Sequence, residues 1–543
     1  MASKLKSGLR VLVIRARNKG KWQTALNVAF FLLCLRFQVA AVRSAGVDLG
    51  AALSLMAGAF VLAALDPLAS LFAFTLAVPL LTGLSQNIFL SCAFPPSLVF
   101  SALWMGIGAS KLLATLKRRS GKSDARRPPR DAVAGQSILG AGLPTLVADI
   151  LISSALLSLA WQLWRHREGT GLREAFFDRA VLGFGDPWYF LTSAFLWLQG
   201  LFYFRTLLSE WEVQAASDVG ANRCSVAIAS WVRPVFAAYG LTLVTFILMQ
   251  YLVGIPEGWT ASGFQAPYED ISSFGSIAVA IFIYAVATRV ARSRQLFAVN
   301  IIICSSLLLM VVASWSRATW LAALVFLLLI AAFRLPRLWA AALLVTLVAA
   351  VASIDAGFSR ASWSEQPYII RLHTLLRIEN PLHKDPVRLN LYAKAGRMIE
   401  QRPIVGHGIG SFYLESLDYA SPNDPYATVP DFAHNVFLQI ATEEGLPIAA
   451  LFGCLLIGTL WRGLAVWRRR EAGGQPNSAH ALLILGVTLS LAAYVETQMT
   501  ANSLNVYASN QFFFWFAMAS ILALSGSKEI READGVPAAL GAG

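Results

Sequence analysis

Apolar residues in this chain recur in blocks of about twenty, the length a helix needs to cross roughly 30 Å of hydrocarbon. Blocks of that length exclude a soluble fold, and they read as spanning helices rather than barrel strands, so the expected class is an all-α polytopic membrane protein. Composition agrees: of 543 residues, 57% are hydrophobic and 14% are charged, against roughly a quarter charged in soluble domains. A formal net charge of +13 would suggest nucleic acid as partner in a soluble protein. Here the Lys and Arg residues sit in short connectors between apolar blocks, where they act as an orientation signal.

Residues 1–22 hold Lys4, Lys6, Arg10, Arg15, Arg17, Lys19 and Lys21 with no acidic residue, and an apolar run follows from Leu26. Arg36 and Arg43 stand where a signal peptide would carry small residues for cleavage, so this is read as a basic cytoplasmic N-terminus before an uncleaved first span. Spans are predicted near 24–43, 47–65, 68–90 and 95–116, then 139–163, 187–206, 232–254, 273–291, 296–314, 317–333 and 337–356, and finally 446–466, 480–498 and 509–526. That is about fourteen crossings. The basic stretch at 117–131, Arg292–Ser293–Arg294, Arg334–Leu335–Pro336–Arg337 and Arg468–Arg469–Arg470 all fall inside on this count. Residues 164–186 fall outside with four arginines, balanced by Glu168, Glu174, Asp178 and Asp186. The expected organisation is a cytoplasmic segment 1–22, membrane helices over 23–356, one large periplasmic loop over 357–431 containing short helices, a loop-exit helix and three membrane helices over 432–526, and a cytoplasmic tail over 527–543. A polar loop of that length between membrane helices is seldom mere connection.

The chemistry-bearing residues gather in that loop. DPVRLNLYAKAGRMIEQRP predicts a helix capped by Asp385, with Pro386 at its first position and an end before Pro403. Arg388 then lies in the first turn, where free backbone N–H groups and the guanidinium together suit a phosphate. Arg397 reads as a solvated charge. Gly406–His407–Gly408–Ile409–Gly410–Ser411 lacks the strand and helix that a nucleotide-binding glycine motif requires, and is expected to form a tight turn with exposed amides. His407 has nothing in its local sequence to orient the ring. VPDFAHNVFLQIATEEGLP predicts a second helix capped by Asp431 and ended by Gly445 before Pro447, placing His434 in its first turn. The positive end of the helix dipole there favours the neutral imidazole that a general base requires; a capping or solvated histidine fits the same residues. His373 and His383 are read as ordinary loop residues.

Arg317, in SWSRATW at the outer end of a span, is a functional candidate because a charge beside hydrocarbon is costly, and Ser314, Ser316 and Thr319 make its surroundings polar. Tyr268, Glu269 and Asp270 lie near the same outer face and serve either as bases or as loop charges. Five scattered cysteines and the absence of ligand-spaced His, Cys, Asp or Glu predict neither a disulfide framework nor a metal.

SWSRATW, VRLNLYAKAGRMIEQRPIVGHGIGSF and HNVFLQIATEEGLP, in that order around a wide loop, resemble the O-antigen ligase and polymerase superfamily of bacterial inner-membrane glycosyltransferases. The likeness covers roughly residues 260–530. It implies an undecaprenyl-diphosphate-linked glycan as donor, no cofactor and no metal. The acceptor would be lipid A core or a growing polysaccharide, with protein a third class. Carried over by position, Arg317 and Arg388 match the family's diphosphate-binding arginines and His434 its catalytic histidine. His407, Asn435, Tyr268 and Glu269 are further candidates for substrate contact. The chain departs from the family by counting more spans than usual and by lacking an arginine in the outer segment 262–274. A flippase-type transporter of the same lipid-linked sugars is the rival reading; transporters tend to place charges at mid-membrane and to show paired halves, neither of which is visible here.

Overall fold

The computed structural model describes residues 19–44, 49–87, 95–119, 142–168, 186–217, 386–421, 432–473, 479–498 and 508–525, with isolated positions at 175, 178, 232 and 235. All regular structure among these residues is helical: α1 Lys19–Ser44, α2 Leu49–Leu65, α3 Pro67–Asn87, α4 Pro95–Arg119, α5 Gly142–Arg165, α6 Tyr189–Ser217, α7 Pro386–Gln401, α8 Phe412–Glu415, a 3₁₀ turn Ser416–Tyr419, α9 Val436–Glu444, α10 Leu446–Ala472, α11 Ala479–Gln498 and α12 Ala508–Leu524. The nine predicted spans that fall within this set each coincide with one helix. Trp22–Ala41, Ser97–Leu116, Gly142–Arg165 and Leu446–Ala472 are long and apolar enough to cross a membrane, and shorter apolar helices occur at Leu53–Leu65, Pro67–Val78, Ala481–Val495 and Gln511–Leu524. The predicted spans between 232 and 356, and with them the count of fourteen, lie outside the described residues.

The bundle is hydrophobic on nearly every side, so its order comes from shape rather than from a difference in polarity. Aromatic side chains supply that shape. Phe30 stacks on Phe202 with centroids 4.0 Å apart, Phe74 meets Phe512 edge-on at 4.7 Å, and Trp515 lies between Phe204 and Phe514. These contacts draw α6 between α1, α3 and α12 and leave Trp211, Tyr203 and Trp515 fully buried.

Polar pairs cluster at one end. Asp149 of α5 meets Arg205 of α6 at 2.9 Å and Gln23 of α1 at 3.2 Å. Arg205 also donates to Asn27, and Lys111 of α4 pairs with Glu210 of α6 at 2.8 Å. In an apolar bundle a charge persists only when paired, so these contacts fix which helix faces meet. At the other end, Arg43 pairs with Asp178 at 2.6 Å and Arg36 donates to the carbonyl of Ala175. The balance of charges expected within 164–186 is therefore partly a pairing with α1. On this same end, where α5 finishes and α6 begins, the polar segment 386–421 is seated.

Candidate functional site

Helix α7 forms as predicted from Pro386 and ends at Gln401, ahead of Pro403. Leu391, Ala395 and Met398 recur at helical spacing on its inner face and, with Phe412 and Ala433, make a small apolar core under the segment. Ala393, Arg397 and Glu400 face solvent. Arg388, half-buried, sits in the first turn, four residues ahead of Tyr392 and hence on the same face. The Tyr392 hydroxyl donates to the carbonyl of His434 at 3.5 Å, so the turn carrying His434 lies against the face of α7 that also carries Arg388.

His434 does not lie inside a helix. Helix α9 begins at Val436, and its N-cap is Asn435 rather than Asp431, the Asn435 side chain accepting from the backbone N–H of Phe437 and Leu438. Asn and Asp cap equally well, and the nearer one takes the role. His434 precedes the cap with φ of +47°, the one non-glycine residue among those described with positive φ. A left-handed conformation at a residue with a side chain costs about 1–2 kcal/mol and persists only where its surroundings enforce it. The imidazole still lies at the N-terminal end of α9, although outside its first turn.

The glycine turn is not exposed. Residues 406–411 are buried, because their N–H groups complete the far end of α9. His407 N–H donates to Thr442 O at 2.9 Å and Gly408 N–H to Glu443 O at 2.8 Å, satisfying carbonyls the helix leaves open, while Leu446 N–H returns to Pro403 O. Gly406 (φ +66°) has no room for a side chain, since a Cβ would lie 2.3 Å from Glu443 O. Helix α5 closes the other side: Ile409 N–H donates to Ser158 Oγ at 2.7 Å, and Gln162 Nε2 to His407 O at 3.2 Å.

The ring of His407 is held, contrary to the expectation that nothing orients it. Buried to 1% exposure, it places Nδ1 3.0 Å from Glu415 Oε2 and Nε2 3.0 Å from the carbonyl of Met398. Glu415 also pairs with Arg165 at the end of α5. Burial would raise the Glu415 carboxyl, but the bond to His407 and the charge of Arg165 outweigh it and hold the group below the usual carboxylate range. His407 thus ties the turn to α7, α8 and α5 together.

Residues that sequence reading passed over complete the site. Gln439 Oε1 accepts from Ala433 N–H at 3.0 Å, and Gln439 Nε2 donates to Glu443 Oε1. The Glu443 carboxylate also receives the N–H groups of Gly410 and Phe412, yet full burial pushes it up to about 7. Beside it, burial pushes Glu444 up to about 8, against a bond from Ser154 of α5. A signal for the first two was present: Asn435, Gln439 and Glu443 recur at four-residue spacing, a polar row along one line of the helix. Arg317, Tyr268 and Glu269 lie outside the described residues. Among the described residues no group of three or more His, Cys, Asp or Glu could hold a metal ion.

Membrane-length apolar helices with a polar, histidine-bearing segment locked onto one end define a multi-pass membrane protein whose candidate chemistry lies at the edge of its bundle. Residues 301–453 match the family model described as O-antigen ligase, the family that the sequence motifs resemble. α7, the glycine turn and His434 all fall inside the matched stretch. No curated protein matches the chain.

Proposed function

We propose that this chain is a membrane glycosyltransferase of the O-antigen ligase and polymerase type, moving an undecaprenyl-diphosphate-linked saccharide to an acceptor hydroxyl on the periplasmic face. The observation that carries the reading is the seating of the strained His434 turn on the α7 face that bears Arg388. His434 takes the acceptor proton, the acceptor oxygen attacks the anomeric carbon from the side opposite the diphosphate, and Arg388 with Arg317 neutralises the charge gathering on the departing diphosphate. A single displacement inverts the anomeric centre. Diphosphate leaves readily, so the mechanism calls for no protein acid and no metal. The end of the bundle that holds 386–421 is then the periplasmic end, with the Asp149–Arg205 cluster toward the cytoplasm.

Purified protein incubated with undecaprenyl-diphosphate-linked glycan and an acceptor glycan should release undecaprenyl diphosphate and form a bond of inverted configuration, with turnover unchanged in excess EDTA. Retained configuration, or loss on chelation that a divalent ion restores, contradicts the mechanism. Asp418 is exposed, whereas Ser416 beside it is fully buried. An Asp418→Cys variant should therefore react with an impermeant maleimide in intact spheroplasts; labelling only after lysis would reverse the orientation.

A further inference from the structure

A buried helix face normally carries apolar residues, because each polar group taken from water needs a partner. Helix α9 instead buries Asn435, Gln439 and Glu443 in one row, at 9%, 3% and 4% exposure. Gln439 and Glu443 are linked, and Glu443 accepts from both sides. Asn435 caps the helix; Gln439 spans from the N–H of Ala433 to the carboxylate of Glu443; Glu443 reaches the N–H groups of Gly410 and Phe412. Ala433 N–H can only donate, so the carbonyl of Gln439 must face it and the NH₂ must face Glu443. With N–H groups from Gln439, Gly410 and Phe412 all directed at it, Glu443 acts as the acceptor-only carboxylate. The residue so gripped is the one immediately before His434. From the other side Tyr392 holds the His434 carbonyl.

We propose that Glu443, acting through Gln439, is the positioning residue that holds His434 in its left-handed turn, a role that rests on reading His434 as the general base. The glutamate touches no reacting atom. It fixes the rotamer of one amide, which fixes the backbone before the histidine, and it anchors that chain of bonds on the glycine turn and so on α5. The left-handed backbone at His434 is costly alone, and this row and Tyr392 both act on the backbone beside it.

Substitution by glutamine discriminates, because an amide offers one acceptor and one donor where the carboxylate offers acceptors alone. In Glu443→Gln the new NH₂ must face either Gln439 or the N–H groups of Gly410 and Phe412, and one end of the row is released. The exchange variant Gln439→Glu with Glu443→Gln restores the match: the carboxylate at 439 accepts from Ala433 N–H and from the amide at 443, whose carbonyl accepts from Gly410 and Phe412.

The full-length protein, purified with its membrane lipid in detergent, is assayed with lipid-linked glycan as donor. Glu443→Gln should lower kcat on the order of 10²-fold with the donor KM unchanged, and the exchange variant should regain most of it. In a His434→Ala background Glu443→Gln should cost nothing further, because a group acting through the histidine has no effect once the imidazole is gone. Parental kcat in Glu443→Gln, an additive loss on His434→Ala, or an exchange variant that accumulates without activity each overturns the proposal. So does failure of both variants to accumulate, which makes Glu443 a folding residue. If His434→Ala itself keeps turnover, the base assignment falls and the positioning role with it. Loss in His434→Ala beside full kcat in Glu443→Gln removes the positioning role alone.

Discussion

Replacing His434 by alanine and, separately, by glycine divides the chemistry of its side chain from the geometry of its backbone. Both variants lose the imidazole, and each should turn over about 10²–10⁴ times more slowly than the parent if the histidine is the general base. Their stabilities should differ. At φ of +47° alanine keeps the left-handed cost of about 1–2 kcal/mol, and glycine escapes it. Glycine in turn gives back about 0.4–1 kcal/mol by enlarging the freedom of the unfolded chain. The difference leaves His434→Gly more stable than His434→Ala by about 1 kcal/mol, a factor near 5 in the unfolding equilibrium. Denaturant unfolding in detergent micelles, followed by tryptophan emission, measures that difference, and turnover in membranes holding equal protein measures the chemistry. An alanine variant as stable as the glycine variant would refute the strained turn; turnover within a few-fold of the parent in either would remove His434 from the mechanism.

Gly406→Ala adds the left-handed cost and drives a Cβ against the Glu443 carbonyl. Losing the two bonds from His407 and Gly408 at about 1 kcal/mol each brings the total to about 3 kcal/mol, read by the same unfolding assay; a change below about 0.5 kcal/mol would mean that the turn does not dock. Glu444 keeps its proton in the folded protein up to about pH 8, while the unfolded carboxyl releases it near its ordinary value of 4.5. Its contribution is therefore full below that lower value and falls as pH rises toward 8. The melting-temperature advantage of Glu444→Gln over the parent should grow from pH 5 to 8 and then level, whereas a constant difference would show that Glu444 does not titrate while buried. Arg388→Lys should lose nearly as much turnover as Arg388→Ala, because a guanidinium fits two phosphate oxygens at once and an ammonium does not; substantial rescue by lysine would reduce Arg388 to general positive charge.

What was legible in the chain is what local sequence encodes. Pro386 and Pro403 bound α7 correctly, and Gly445 before Pro447 marks the end of α9 where it is found. The start of α9 was misplaced because DFAHN offers two good caps, and only the bonds from Asn435 to Phe437 and Leu438 decide between them. What decides the fate of His407 lies on other helices: Gln162 of α5 holds its carbonyl from 245 residues away, and Glu415 of α8, itself paired with Arg165 of α5, holds its ring, and nothing beside Gly406 and Gly408 announces them. Glu443 and Glu444 look like solvated charges at a helix end and are buried, because the glycine turn and α5 cover them.

The seating of the glycine turn on α5 also sets an order of events during synthesis. Ser158, Gln162 and Arg165 wait for partners 251, 245 and 250 residues further along the chain. At roughly 5–20 residues per second, a ribosome takes about 12–50 s to deliver those partners. Through that interval α5 is already threaded into the bilayer with a row of polar side chains unanswered, while α1 and α6, which pair with its other end, are complete. The half-made protein is thus finished at one rim and open at the other, and the open rim is the natural place for a membrane chaperone or a quality-control protease to judge it.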